Sequence, residues 1–224
     1  MIVYAKQPSP GYAKTRLGVT IGMNEAAGVY ARLLYFYLFD LLQADLGDTR
    51  VEVAVTSPAD VPFFAQAFPE FSVCSQIEGD LGQRMEASFA QAFAAGAEAV
   101  VLTGSDIPGL DSGILPLAFG ALETAPLIIG PALDGGYYLL GMRAPGVPIF
   151  DGVEWSTDLV LAQTEALARA QGLKLVYLPE RFDVDTIDDF KRWRQTCRRV
   201  CPDEDGQTPR VEDTGWTEGQ NGAG

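Results

Sequence analysis

Short apolar runs recur along this chain, and most are separated by stretches with helical periodicity. The runs occupy residues 2–5, 51–55, 71–75, 99–103, 127–130, 137–141 and 173–178. Several are unbroken, as in strands covered on both faces. Helical patterns occupy residues 25–44, 61–67, 81–95, 112–123, 158–171 and 187–199. Asn24 is placed to cap the first long helix, Asp111 or Ser112 the fourth, and Ser156 or Thr157 the fifth. This alternation predicts an α/β fold with an open, mostly parallel sheet and helices on both faces. In such a sheet the ligand lies outside the carboxyl ends of the strands. One pair, 127–130 and 137–141, leaves no room for a helix between its members and interrupts the rhythm.

At 224 residues the chain suits one domain, large enough to bury a core without disulfide or metal staples. No segment reaches the roughly 18 apolar residues of a membrane span. The start, Met1-Ile2-Val3-Tyr4-Ala5-Lys6, reads as an immediate strand without a basic leader. The expectation is a cytoplasmic protein. Three cysteines, Cys74, Cys197 and Cys201, agree with a reducing compartment, and the last two read as unpaired thiols on a helix. The expected domain covers residues 1–201. Residues 202–224 carry six acids and one arginine and read as a flexible acidic tail.

The chain contains no histidine, which excludes Ser-His and Cys-His mechanisms and leaves carboxylates as the bases. A net charge of −14 argues against nucleic acid or an anionic membrane as a partner. The first 24 residues nevertheless hold Lys6, Lys14 and Arg16 and no acid. A cationic patch on an acidic protein suggests a bound anion.

Five segments could carry chemistry. The first is Ala5-Lys6-Gln7-Pro8-Ser9-Pro10-Gly11-Tyr12-Ala13-Lys14-Thr15-Arg16-Leu17, directly after the first strand. Lys14 offers a point charge and Arg16 a fork, both suited to phosphate oxygens. It is not a P-loop, because Ala13 stands where that pattern needs the glycine before its lysine. The second, Thr103-Gly104-Ser105-Asp106-Ile107-Pro108, puts a carboxylate at the sheet's edge, where Mg²⁺ or Mn²⁺ is held beside phosphates. The third, Asp134-Gly135-Gly136-Tyr137-Tyr138, reads as a hairpin turn. It reads equally as a place where a backbone without side chains approaches a ligand. The fourth, Gly79-Asp80-Leu81-Gly82-Gln83-Arg84, opens a helix whose amides favour anions. The fifth, Asp183-Val184-Asp185-Thr186, reads as a helix start. In its functional reading Asp185 is a second metal ligand facing Asp106.

Together these segments resemble the GT-A-fold nucleotide-diphospho-sugar transferase superfamily. The nearest branch is bacterial, named for glycosyl transfer and in part tied to arsenosugar biosynthesis. Its pattern Ala-Lys-x-Pro-x-Pro-Gly-x-x-Lys-Thr-Arg-Leu is matched by Ala5 to Leu17, Gly-Asp-Leu-Gly-x-Arg by Gly79 to Arg84, and Gly-Ser-Asp-x-Pro by Gly104 to Pro108. Asp-Gly-Gly-Tyr-Tyr is matched by Asp134 to Tyr138, and the late motifs by Trp155-Ser156-Thr157 and Asp183 to Thr186. The resemblance implies a three-layer Rossmann-like GT-A fold. It implies nucleotide and phosphate contacts from Ala5, Lys6, Pro10, Gly11, Lys14, Arg16, Gly82, Arg84, Ser105, Gly135 and Gly136. It also implies Mg²⁺ or Mn²⁺ at Asp106 and Asp185, with Lys14, Arg16 and Asp134 in catalysis. Many relatives carry Asp-x-Asp at the metal, whereas this chain has Gly104-Ser105-Asp106. The expected reaction is glycosyl transfer from a nucleotide-diphospho-sugar to a small-molecule acceptor. Two alternatives stand beside it: nucleotidyl transfer from a nucleoside triphosphate, and nucleotide binding without turnover. Base, sugar, acceptor and oligomeric state stay open.

Overall fold

A computed structural model describes the backbone of residues 1–200 and the side chains of residues 1–196. The tail at 202–224 and the Cys197–Cys201 pair lie outside the described residues or side chains. The elements run β1 (Ile2–Ala5), α1 (Thr15–Ile21), α2 (Met23–Gln43), β2 (Glu52–Val55), a 3-10 turn (Pro58–Asp60), α3 (Val61–Ala67) and β3 (Ser72–Ser75). They continue with α4 (Leu81–Ala94), β4 (Val100–Thr103), α5 (Ile114–Thr124), β5 (Leu127–Pro131), β6 (Tyr137–Met142), α6 (Val160–Ala170), β7 (Leu175–Tyr177) and α7 (Ile187–Val200).

The strands form one sheet in the order β3-β2-β1-β4-β6-β5-β7. Only β6 runs against its neighbours, pairing antiparallel with both β4 and β5. The remaining pairs are parallel. The reversal of β6 follows from the missing crossover: a tight turn can join only antiparallel strands. Alternation along each strand sends side chains to two helical layers. Val3 and Ala5 of β1, with Val101 of β4, pack beneath Tyr30, Leu34 and Leu38 of α2 and Ile114 and Ala118 of α5. Ile2, Val100 and Leu102 face the opposite layer, where Met85 and Phe89 of α4 cover them. The architecture is the three-layer α/β fold of the GT-A kind.

Local expectations change at the helix starts: α5 and α6 begin after Gly113 and Leu159, neither of them an expected cap. The β1–α2 connection holds a short extra helix, α1, whose Leu17 is fully buried against Ala26, Val29 and Leu33 of α2. Asn24 lies inside α2, because Gly22, at φ 96°, ends α1 and starts α2 at once. Only a residue tolerant of positive φ can make so abrupt a junction. Among the described residues no helix is long and apolar enough to cross a membrane.

Candidate active site

The chain winds outward in opposite directions from β1 and β4, so the strand order reverses between them. A crevice opens at the carboxyl ends of strands at such a reversal. Here it is a cleft of about 510 Å³ lined by the ends of β1, β2 and β4, the start of β6 and the first turns of α1 and α4. Because β6 is reversed, its first residues, Tyr137 to Leu140, reach the same edge.

Lys14 stands at the centre of the cleft's charge. Its backbone is left-handed, φ 52° and ψ 44°, just before α1. That conformation costs an L-residue about 1–2 kcal/mol. Here it accompanies a side chain that is only 5% exposed and lies among acids. Lys14 Nζ donates to Asp106 Oδ2 at 2.7 Å. Asp185 Oδ1 lies 3.7 Å from it and Asp183 Oδ2 3.9 Å. Arg16 Nη1 donates to Asp185 Oδ2 at 3.0 Å from the exposed side.

The acids arrive by different routes. Asp106 follows β4, and its carbonyl accepts the Val184 N–H at 3.3 Å. Backbone bonds from Leu133 to Arg181 and from Arg181 to Pro131 carry the 181–185 segment along the end of β5. Val184 is fully buried, while Asp183 and Asp185 on either side of it turn toward Lys14. Asp189 Oδ2 then accepts the Thr186 N–H at 2.8 Å, and Thr186 Oγ1 accepts the Asp189 N–H at 3.3 Å. The motif is thus both a helix start and a wall of the cleft.

Charge state follows from this packing. Burial pulls the Lys14 ammonium down, but Asp106, Asp183 and Asp185 outweigh it and leave the pKa raised. Burial pushes Asp106 up, and the Lys14 charge and hydrogen bond more than offset that, holding it below the usual carboxylate range. Asp183 goes the other way. Burial, with Asp106, Asp134 and Asp185 adding to it, overcomes Lys14 and lifts the carboxyl to about 6. Asp183 was not singled out from the sequence. Its signal was present in the two acids around an apolar residue, which share one face when the apolar residue is buried.

The remaining expected residues divide. Ala5, Lys6, Arg84 and Ser105 line the cleft. Arg84 is held by the carbonyl of Asp80 and by Gln76 Oε1, at 3.2 and 3.1 Å. The Ser105 hydroxyl is committed internally. It donates to the Tyr4 carbonyl, so it accepts from Tyr30, whose hydroxyl in turn accepts the Lys6 N–H. Pro10 and Gly11 sit on an exposed turn apart from the residues lining the cleft. Gly82 is not among the residues lining the cleft: a Cβ there would meet the Trp155 ring at 2.5 Å, so close ring packing explains the glycine. Gly135, at φ 87°, lies against the Asp158 backbone, where a Cβ would clash. Asp134 Oδ1 accepts the Gly136 N–H at 3.0 Å within its own turn. Asp134, Gly135 and Gly136 therefore form a hairpin beside the cleft.

The fold, with its cleft where strand order reverses, and the likeness reported below make the chain a transferase of the nucleotide-diphospho-sugar superfamily. The chain belongs to the bacterial family "Uncharacterized protein conserved in bacteria (DUF2064)", whose pattern matches residues 40–157 and so includes Asp106 and the Asp134 hairpin. It is similar to a structure from Desulfovibrio desulfuricans G20 provisionally named a nucleotide-diphospho-sugar transferase. The two are 34% identical, over 88% of this chain and 86% of that one, with a TM-score of 0.79. A cytidylyltransferase from Leptospira borgpetersenii serovar Hardjo-bovis shares the fold at 17% identity and a TM-score of 0.55, over 89% of this chain and 86% of its own. The manganese complex of Rv0371C from Mycobacterium tuberculosis H37Rv does so at 17% and 0.51, over 87% and 97%. None of the curated proteins matches.

Proposed function

We propose that the protein moves a sugar from a nucleotide-diphospho-sugar to a small-molecule acceptor, assisted by Mg²⁺ or Mn²⁺. The observation that carries this reading is the convergence on one cleft of Lys14, Arg16, Asp106 and Asp185, from three distant parts of the chain. The donors available to a metal are hard carboxylate oxygens, the type that Mg²⁺ and Mn²⁺ select. The Lys14 ammonium already occupies a place among them that favours a cation. Among the described residues no three such side chains are gathered closely enough to cage a metal alone. Asp106 and Asp185 would therefore hold the ion together with phosphate oxygens, as Mg²⁺ is usually held. When bound, the ion supplies positive charge beside the diphosphate.

The chain's own groups do the rest. Lys14 and Arg16 bind the diphosphate and stabilise the charge that develops on it as it leaves. With no histidine in the sequence, the acceptor's proton goes to a carboxylate, and Asp134 is the candidate base. Its Oδ1 is engaged by Gly136, which leaves Oδ2 for the proton. A second reading, nucleotidyl transfer, draws on the same loop. Lys6, Lys14 and Arg16 together suit the higher charge of a triphosphate.

The test is incubation with Mg²⁺ or Mn²⁺ and a panel of nucleotide sugars and nucleoside triphosphates, following released phosphates. Nucleoside diphosphate released from a sugar donor supports glycosyl transfer. Pyrophosphate released from a triphosphate would replace it with the second reading. Tight nucleotide binding with neither product would leave a binding module and end both catalytic readings.

A further inference from the structure

The 6–14 loop that delivers Lys14 has a feature that its own sequence does not explain. Its root is held by a carboxylate from the neighbouring crossover. Asp60 ends the 3-10 turn after β2 and is only 5% exposed. It makes no cap bond to α3, the helix it precedes. Both of its hydrogen bonds go instead to the loop. Oδ2 accepts the Gln7 N–H at 3.1 Å and the Tyr12 hydroxyl at 3.0 Å. Removing a carboxylate from water is costly unless charge-assisted bonds replace the lost hydration. Here both replacements come from the loop.

The two bonds fix more than the atoms they touch. The amide before Gln7, that of Lys6, donates to Tyr30 Oη at 3.1 Å. Consecutive amides at the loop root are therefore pinned by side chains of two other elements. The Tyr12 ring, held by Asp60, lines the cleft and lies beneath the Lys6 ammonium at 5.8 Å from its centroid. A cation over an aromatic face is attracted to it. The path Asp60–Tyr12–Lys6 thus sets where a positive charge stands over the cleft.

We propose that Asp60 is a positioning residue for anion binding, holding the loop root and Lys6 in register through Gln7 and Tyr12. The inference rests on the reading of this loop as the diphosphate site. It makes a prediction opposite to that of charge alone. A carboxylate near an anion site repels the anion, so simple electrostatics expects its removal to tighten binding. Positioning expects the reverse when the hydrogen bonds are lost, and no loss when only the charge is removed.

The experiment is calorimetric titration of the full chain with inorganic pyrophosphate at saturating Mg²⁺. Asp60→Ala is expected to weaken binding roughly tenfold or more, the scale of two lost hydrogen bonds. Asp60→Asn keeps an acceptor oxygen and is expected to bind as tightly as the unsubstituted protein, or tighter. Tyr12→Phe removes one bond and is expected to weaken binding roughly three- to fivefold. Lys14→Met is the control for the loop itself and is expected to weaken binding strongly. If Lys14→Met weakens binding while Asp60→Ala does not, the loop reading stands and the positioning role is overturned. If Lys14→Met binds as the unsubstituted protein does, the loop is not the diphosphate site, and both fall. Should Asp60→Ala fail to fold, Tyr12→Phe decides: an unchanged affinity overturns the proposal.

Discussion

Asp106 and Asp134 both follow or precede strands at one edge of the sheet, yet their surroundings differ in kind. Asp106 is held by Lys14, 92 residues away, and its backbone carbonyl by Val184. Asp134 is held by Gly136, two residues on, inside a hairpin that would exist for local reasons alone. A carboxylate whose partners come from distant elements has its charge set by the whole fold. One whose partner is its own turn is placed by local structure and is free to serve a mobile substrate. In the proposed chemistry the first kind of site suits a fixed cation and diphosphate. The second suits a base that meets the acceptor.

The sharpest way to break that comparison is to neutralise the long-range member. Asp106→Asn keeps an oxygen near Lys14 but removes the charge. Metal-dependent nucleotide binding is expected to fall roughly a hundredfold, the scale of the about 1.5–3 kcal/mol carried by a hydrogen bond to a charged group. The far-ultraviolet circular dichroism should not change. Binding that survives at its original strength makes Asp106 a turn residue. Asp134→Ala tests the other member. Nucleotide affinity is expected to hold while kcat falls at least about a hundredfold, the contribution of a general base. A fall in melting temperature with unchanged kcat would reduce Asp134 to its hairpin.

How far these two regions can be read from the sequence follows the same division. The apolar runs place every strand to within about two residues, and in central strands such as β4 and β5 burial on both faces leaves an unbroken hydrophobic signature. The Asp134 turn is legible for the same local reason. Lys14, Asp106 and Asp185 are legible as a set only through the order of their motifs; the sequence does not show that all three meet at one ammonium. Less could be read where the cause is tertiary. Gly82 looks like an open helix start, whereas its missing Cβ is explained by Trp155, 73 residues later. Asp60 closes Ser57-Pro58-Ala59-Asp60, directly before α3. Ser57 does cap that turn, accepting the Ala59 N–H, while Asp60 turns to another loop altogether. The α1 helix is hidden because seven residues containing a glycine carry too short a period to detect.

Asp183 lies between the two extremes, and pH separates its behaviour from that of Asp106. Its carboxyl is lifted to about 6 in the folded protein, chiefly by burial, with neighbouring aspartates adding to it. The folded state therefore takes up this proton before the unfolded chain does. Ionised Asp183 costs stability above about pH 6, and the cost disappears as pH falls toward 4. Asp106 has the opposite sign: its depressed pKa contributes stability that is lost as pH falls through the folded value. Asp183→Asn is expected to be the more stable protein near pH 7.5 by on the order of 2 kcal/mol, with the gap closing by about pH 4. Urea unfolding of both proteins between about pH 4 and 8 measures the difference. A gap independent of pH would show that the carboxyl titrates normally and that the acid wall is more solvated than its packing implies.

Arg16 gives the smallest effect and the finest test of the contrast between fixed and mobile charge. Its side chain is 75% exposed, so its bond to Asp185 is screened and worth no more than about 1 kcal/mol to the fold. Arg16→Gln should leave urea stability within about 0.5 kcal/mol of the unsubstituted protein. Affinity for a nucleoside diphosphate should nevertheless fall roughly tenfold, because a forked donor to phosphate is lost. That deficit should shrink as salt rises, since an exposed charge is screened beyond about 8 Å at physiological ionic strength. A variant that loses stability and keeps its affinity would place Arg16 as a strut between α1 and the Asp185 segment. The diphosphate would then rest on Lys14 and Lys6 alone.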